Sequence, residues 1–267
     1  MSHWKERFLG ILDLPSELSA SELEEFFRFS RRDIADIAEA FRPKYRIAAG
    51  VQLGFTRMSG RRLDRFKVLP RALLAFLGEQ FDVTPPSIAT MRSLYKRGNT
   101  LIEHQKWVLD RLGLKYVNRK QEAMLLATVR TASHGTTSID RLMTSAREWL
   151  VERNFVLPAE RTLRDICVRA SADTEAFIYQ SICKAIPAEK RKELVESLMD
   201  KRDDGRTLME WLRKAPKRRA KKNLDEIFER IDHIKSMGIA DIELPAMSIE
   251  RMRSYAREAR QRSPSRF

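Results

Sequence analysis

Only two of the 267 residues are cysteine, and their spacing follows no ligand or disulfide pattern. That excludes a disulfide scaffold and fits a reducing cytoplasm. Glycine and proline number ten each, too few for a collagenous or low-complexity chain. No stretch approaches the roughly 18 apolar residues that suggest a membrane span. The N-terminus, MSHWKERFLGILDLPSE, carries charge early and lacks both a long apolar run and a small-residue cleavage site, so no signal peptide is expected. Few segments alternate apolar and polar residues with period two, and no repeat of fixed period is visible. The glycines are isolated, which excludes a phosphate-binding glycine loop.

Catalytic chemistry is equally scarce. His3, His104, His134 and His233 lie far apart and share no ligand spacing. Cys167 and Cys183 sit on apolar-rich helical stretches and read as small buried residues. Asp203-Asp204-Gly205 reads as a turn. No three carboxylates stand out as a two-metal nuclease set. The expectation is a chain with no metal, no cofactor and no catalytic residue of its own.

What the chain has is apolar matter and positive charge. Apolar residues make up 43%, enough for packed cores, and charged residues 33%, above the usual level of about 25%. Lys plus Arg total 51 against 37 Asp plus Glu, giving a net charge of +14. The excess is segregated. Residues 1–42 carry −3, residues 43–133 carry +11, residues 134–212 carry −1 and residues 213–267 carry +7. A protein lying along a polyanion has use for such blocks, because each neutralised phosphate releases condensed counterions. Solvated helix faces are the plainer alternative.

The periodicity is helical nearly throughout, so the expected fold class is all-α. Helices are expected at 21–27, with Ser21 and Glu24 spaced as a capping box, and at 30–41, with Ser30 ahead of Asp33 and an apolar face of Ile34, Ile37, Ala38 and Phe41. Others are expected at 45–58, from Pro70 to Phe81, from Pro85-Pro86 to Arg97, and at 100–112 and 119–131. Beyond His134-Gly135-Thr136 they are expected at 138–153, 159–170, 173–186, 188–200, 206–214, 223–236 and 248–262. The charge breaks suggest three regions: 1–133, 134–212 and 213–267.

The sharpest local pattern is LLAFLGEQFDVTPPSIATMRS, residues 73–93. It has the makings of a helix-turn-helix: Leu77, Phe81, Val83, Ile88 and Met91 at packing positions, Gly78 as the small residue, and Asp82 in the turn. The second helix would begin at Pro85-Pro86 and read DNA, with Thr84 and Ser87 at its front and Ala89, Thr90 and Ser93 outward. Arg92, Lys96 and Arg97 would hold phosphates, together with Arg57, Arg61, Arg62, Arg65, Lys67 and Arg71 upstream. A weaker pair spans 140–170, with Arg161, Arg164 and Arg169 outward on its second helix. An ordinary helical hairpin explains either pattern too.

Four stretches in order resemble the N-terminal region of transposases of the Tn-three family, the replicative, cointegrate-forming class. They are AAGVQLGFTRMSGRRLDRFKVLPRALLAFLGEQFDV (48–83), YKRGNTLIEHQKWVLDRLGLK (95–115), LVERNFVLPAERTLRDICVRA (150–170) and TLMEWLRKAPKRRAKKNLDEIFERIDHIKSMGI (207–239). The resemblance implies an all-helical region of successive helix-turn-helix-like domains that recognise long terminal inverted repeats in double-stranded DNA. It implies that residues 138–186 form a second DNA-binding domain, that the run Lys214, Lys217, Arg218, Arg219, Lys221 and Lys222 reaches phosphates, and that the full-length protein forms a homodimer. The family's catalytic Asp-Asp-Glu domain lies downstream of anything in this chain, so no catalytic residue carries over. The chain is then expected to be a fragment, a truncated copy, or a stand-alone regulator. A helical scaffold for an acidic protein partner is the alternative from another class. No membrane partner is expected.

Overall fold

The computed structural model describes residues 7–96, 98–214, 221–238 and 247–261, without the side chains of residues 222, 259 and 260. Among these residues the fold is all-α, and the only β-type pairings are isolated bridges. The helices are α1 (Ala20–Phe27), α2 (Arg31–Ala40), α3 (Pro43–Ser59), α4 (Arg71–Phe81), α5 (Ile88–Leu94), α6 (Gly98–Leu112), α7 (Arg119–Ser133), α8 (Ile139–Glu152), α9 (Glu160–Ala185), α10 (Ala188–Met199), α11 (Leu208–Arg213), α12 (Lys221–Ser236) and α13 (Ile249–Gln261).

Local chemistry sets the helix ends. Ser30 and Asp33 form the expected capping box on α2. On α1 the box is Ser19 with Glu22, two residues earlier than Ser21 with Glu24. Pro43 occupies the first turn of α3, and Gly60 ends it in the left-handed region at φ 70°. The two helices expected at 159–170 and 173–186 are one 26-residue helix, α9. The intervening Ser171-Ala172 holds neither glycine nor proline, so nothing interrupts the hydrogen-bond ladder.

The chain divides into two compact units: Met1–Leu126 with Met143–Ile166, and Ala127–Leu142 with Cys167–Phe267. These differ from three consecutive segments cut at 133 and 212. The reason is local to the first unit, where the segment after α8 returns to earlier chain. Leu157 N donates to Gly60 O (2.9 Å), Lys115 N to Asn154 O (2.9 Å) and Val156 N to Lys115 O (3.0 Å).

The first unit is built around α3. Between Ile47 and Ser59 only Arg57 escapes full burial, as expected for a helix surrounded by others. Helices α1, α2, α4 and α6 pack against it. Gly50 and Gly54, one turn apart, make room for aromatic rings. A Cβ at Gly54 would stand 2.2 Å from Phe27 Cδ1, and one at Gly50 would stand 2.7 Å from Phe81 Cε2. Two glutamines bond backbone groups within this unit. Gln52 donates to Leu63 O (2.7 Å) and accepts from Leu63 N (3.3 Å), fixing the segment after α3. Gln80 bridges Phe27 O and Phe29 N, tying α4 to the α1–α2 turn.

Asp33 is buried and receives Arg57 at 3.1 Å and Arg111 at 2.8 Å. Burial pushes its carboxyl pKa up. Hydrogen bonds from Ser30 and Arg57, with the charge of Arg57, outweigh that and leave it below the ordinary value.

In the second unit, buried Arg251 of α13 donates to Ser133 O (2.6 Å) and Tyr255 Oη (3.2 Å). Glu250 accepts from Thr136 Oγ1 (2.7 Å) and Arg141 (2.6 Å). The Trp211 ring is faced by the guanidiniums of Arg202 (4.0 Å) and Arg230 (5.5 Å). Asp203-Asp204-Gly205 forms a turn, as the sequence suggests.

Candidate nucleic-acid interface

The α4–α5 pair occupies the expected stretch with a shifted second helix. Asp82 caps α4 in the left-handed region (φ 49°, ψ 49°). At Gly78 a Cβ would meet Pro85 Cγ at 2.7 Å and Val83 O at 2.9 Å, so the turn needs glycine there. Helix α5 starts at Ile88 and not at Pro85-Pro86. Thr84 and Pro85 each precede a proline, which favours an extended backbone. Ser87 is therefore the first residue able to cap, and its Oγ accepts from Thr90 N at 3.1 Å. The connection is Asp82–Ser87, six residues, longer than the three or four of a standard helix-turn-helix.

The helix is seated firmly for its length. Met91 is fully buried beneath it. Arg92 donates to Phe66 O at 2.9 Å and Lys67 O at 2.6 Å, so it fastens α5 to the 61–69 segment. Thr84, Ser87, Ala89, Thr90, Ser93 and Lys96 are exposed. The hydroxyls are locally engaged: Ser87 Oγ lies 2.9 Å from Thr90 Oγ1, and Ser93 Oγ donates to Thr90 O at 2.7 Å. Arg71, Leu74 and Ala75 of α4 line a shallow open groove with Pro85, Pro86, Ser87 and Ile88.

The upstream cations divide into two kinds. Arg57 is committed to Asp33 and lies over the Phe29 ring at 5.4 Å. Arg61 is 5% exposed and donates to Glu160 at 2.7 Å, while Arg147 holds the other oxygen at 2.6 Å. Arg61 therefore corrects the expectation of a phosphate grip: its guanidinium is used inside the first unit. Lys67 is exposed and pairs with Asp13 at 3.0 Å. Arg62 is exposed, donates to Tyr116 Oη at 3.0 Å, lies 5.4 Å over its ring and holds no ion pair among the described residues. Arg65, Arg71 and Lys96 are exposed and hold no ion pair among the described residues. The 61–71 segment thus keeps exposed cations while Arg61 is buried and Arg57 is tied to Asp33.

On α9, Arg161, Arg164 and Arg169 are all exposed. Arg161 and Arg164 belong to the first unit and Arg169 to the second. Lys221 is exposed. Arg97, Lys217, Arg218, Arg219 and the side chain of Lys222 lie outside the described residues. No group of His, Cys, Asp or Glu among the described residues has a metal-holding arrangement. No helix among them is long and apolar enough to cross a membrane. Tyr116 and Gln105, which line a cleft beside Arg62, escaped sequence reasoning. The exposed tyrosine in GLKYVNRK carries no pattern that names its partner.

The chain is 31% identical, over 99% of its length, to the transposase for insertion sequence element IS1071 in transposon Tn5271 of Comamonas testosteroni, covering 27% of that protein. It is 25% identical over 95% of its length to the transposase for transposon Tn501 of Pseudomonas aeruginosa, covering 25% of it. It is 21% identical over 92% of its length to the transposase for transposon Tn1546 of Enterococcus faecium, again covering 25%. The chain spans about a quarter of the length of these curated relatives. Residues 5–170 match a domain family of unknown function, DUF4158, and because that match takes in most of the chain, the protein belongs to this family.

Proposed function

We propose that the chain is a sequence-specific DNA-binding module of a transposase and recognises the terminal inverted repeats of its transposon, with the catalytic chemistry left to a part of the protein this chain does not contain. One observation carries the reading. Helix α5 presents Ala89, Thr90 and Ser93 outward, flanked by exposed Ser87 and Lys96, while Met91 and Arg92 hold it in place. Short side chains allow close approach to a groove floor, and a fixed helix keeps its register there. Arg62, Arg65, Lys67 and Arg71 supply charge close by in sequence, and the +11 carried by residues 43–133 supplies the wider field. The similarity to transposases over nearly the whole chain supports the same reading. In this account α4 and α5 act as a helix-turn-helix-like pair with an extended connection, Arg161 and Arg164 of α9 offer a second contact in the first unit, and Arg169 offers a separate one in the second.

The test is a titration against two duplexes, one carrying the inverted repeat that flanks the gene and one with its bases scrambled, at 50 and 200 mM salt. The repeat is expected to bind more tightly at both. A grip on six or more phosphates loses on the order of a thousandfold between these concentrations. Replacing Arg62, Arg65 and Lys67 by Ala should weaken both duplexes alike. Thr90→Val with Ser93→Ala should narrow the gap between them. Equal affinity for the two duplexes, or affinity indifferent to salt, would overturn the proposal.

A further inference from the structure

Beside the basic segment, on the surface of α6, lies an open cleft of about 330 Å³. Its apolar walls are Ile102, Leu109, Leu114 and the Tyr116 ring. Tyr116 is 59% exposed and Ile102 is 62% exposed, both high for such side chains in a well-packed unit. Arg62 lies over the Tyr116 ring at 5.4 Å and is bonded to its hydroxyl, so it fixes the ring in place while leaving most of the side chain open to solvent.

The floor has a polar feature. Gln105 is buried, and its Nε2 is held by Leu63 O at 3.1 Å and Asp64 Oδ1 at 3.3 Å. Those two acceptors fix which end of the amide is nitrogen. Its Oε1 has no hydrogen-bond partner among the described residues, and Gln105 lines the cleft. A ligand that satisfied this site would be flat, would bring an N–H donor to Gln105, and would carry negative charge near Arg62 and Lys106 at the rim. Asp110, also at the rim, is placed to accept a further N–H and disfavours an anion on its own side.

We propose that this cleft holds one unstacked nucleobase of a single DNA strand, its ring against the exposed Tyr116 ring, its N–H on Gln105 Oε1 and its phosphate toward Arg62 and Lys106. The inference rests on the DNA-binding reading but concerns a different DNA form, single-stranded and not duplex. Every base offers a ring face and an N–H, so the site would tolerate any sequence. A transposase module with such a slot could hold a strand end that has come out of its duplex.

The probe is a 15-nucleotide single strand with 2-aminopurine at one position, compared with the same strand carrying an abasic site there. At 200 mM salt the base-bearing strand should bind on the order of tenfold more tightly, since stacking one base on an aromatic ring carries such a factor. The 2-aminopurine emission should be quenched on binding. Tyr116→Ala should abolish both differences, while Tyr116→Phe, which keeps the ring, should retain them. Tyr116 is exposed, so circular dichroism melting of both variants should match the parent. Equal binding of the two strands, or a difference that survives Tyr116→Ala, overturns the proposal. The duplex titration reads independently: lost preference for the inverted repeat with a working slot would sink the functional reading alone.

Discussion

His104 makes the stability of the first unit depend on pH below 6.5. The imidazole is 1% exposed on the inner face of α6. Its Nδ1 lies 3.0 Å from Tyr95 Oη, and the rings of Phe41 (4.5 Å), Tyr95 (5.5 Å) and Tyr45 (5.8 Å) surround it. Burial lowers its pKa from 6.5 to about 4. The unfolded chain therefore binds this proton more readily than the folded one. The stabilising contribution is complete above pH 6.5 and declines as the pH falls toward 4. A displacement of that size is worth about 3 kcal/mol in all, of which about 2 is gone by pH 5. The assay is urea unfolding at pH 7.5, 6.5, 5.5 and 4.5 for the parent chain and His104→Gln. Titrations common to both cancel in the difference. The parent should lose its advantage over the variant as the pH drops. Parallel curves across the window would refute the argument that this imidazole is kept neutral by burial.

Other outcomes follow from the packing. Gly54→Ala gains about 1 kcal/mol of helix propensity but drives a Cβ to 2.2 Å from the buried Phe27 ring. Overpacking of about 1–3 kcal/mol should win, and thermal unfolding should show a lowered midpoint. Gly98→Ala has nothing within 4 Å of the new carbon and should be neutral or slightly stabilising in the same scan. Asp33→Asn leaves Arg57 and Arg111 without their shared carboxylate and should cost about 3 kcal/mol in urea titration. Because the Asp33 pKa is depressed, the parent's benefit is present above its unfolded value near 3.8 and lost as the pH falls through the folded one. Arg61→Ala should lower the unfolding midpoint while DNA affinity per folded molecule changes less than for Arg65→Ala, since Arg61 is buried against Glu160.

The sequence was most legible where local rules decide the outcome. Ser30 with Asp33 marked the start of α2, Pro43 and Gly60 bracketed α3, and Gly78 with Asp82 marked the turn after α4. It was less legible where two local signals competed. Pro85-Pro86 looked like a first turn, but each proline constrains the residue before it, and the helix waits for Ser87. The fused α9 was missed because an Ala-Ser-Ala-Asp stretch gives no sign of either stopping or continuing.

Arginine was the hardest residue to read. Composition counts a guanidinium as positive wherever it points. Only the fold shows that Arg57 bonds Asp33 and Arg61 bonds a glutamate 99 residues away. The cleft at Tyr116 was invisible for the same reason. Arg62, Gln105 and Tyr116 are separated along the chain and come together only because α6 packs on α3 and Gln52 and Gln105 both hold the Leu63 carbonyl.

The central claim is that α5 reads base edges while the cations of the 61–71 segment grip phosphates. Its most direct test is the ratio of affinities for the inverted-repeat duplex and its scrambled counterpart at 200 mM salt, measured for the parent chain and for Thr90→Val with Ser93→Ala. The account predicts a clear preference in the parent that shrinks in the variant while binding to the scrambled duplex stays the same. A parent without preference, or a variant that keeps it in full, would contradict the account.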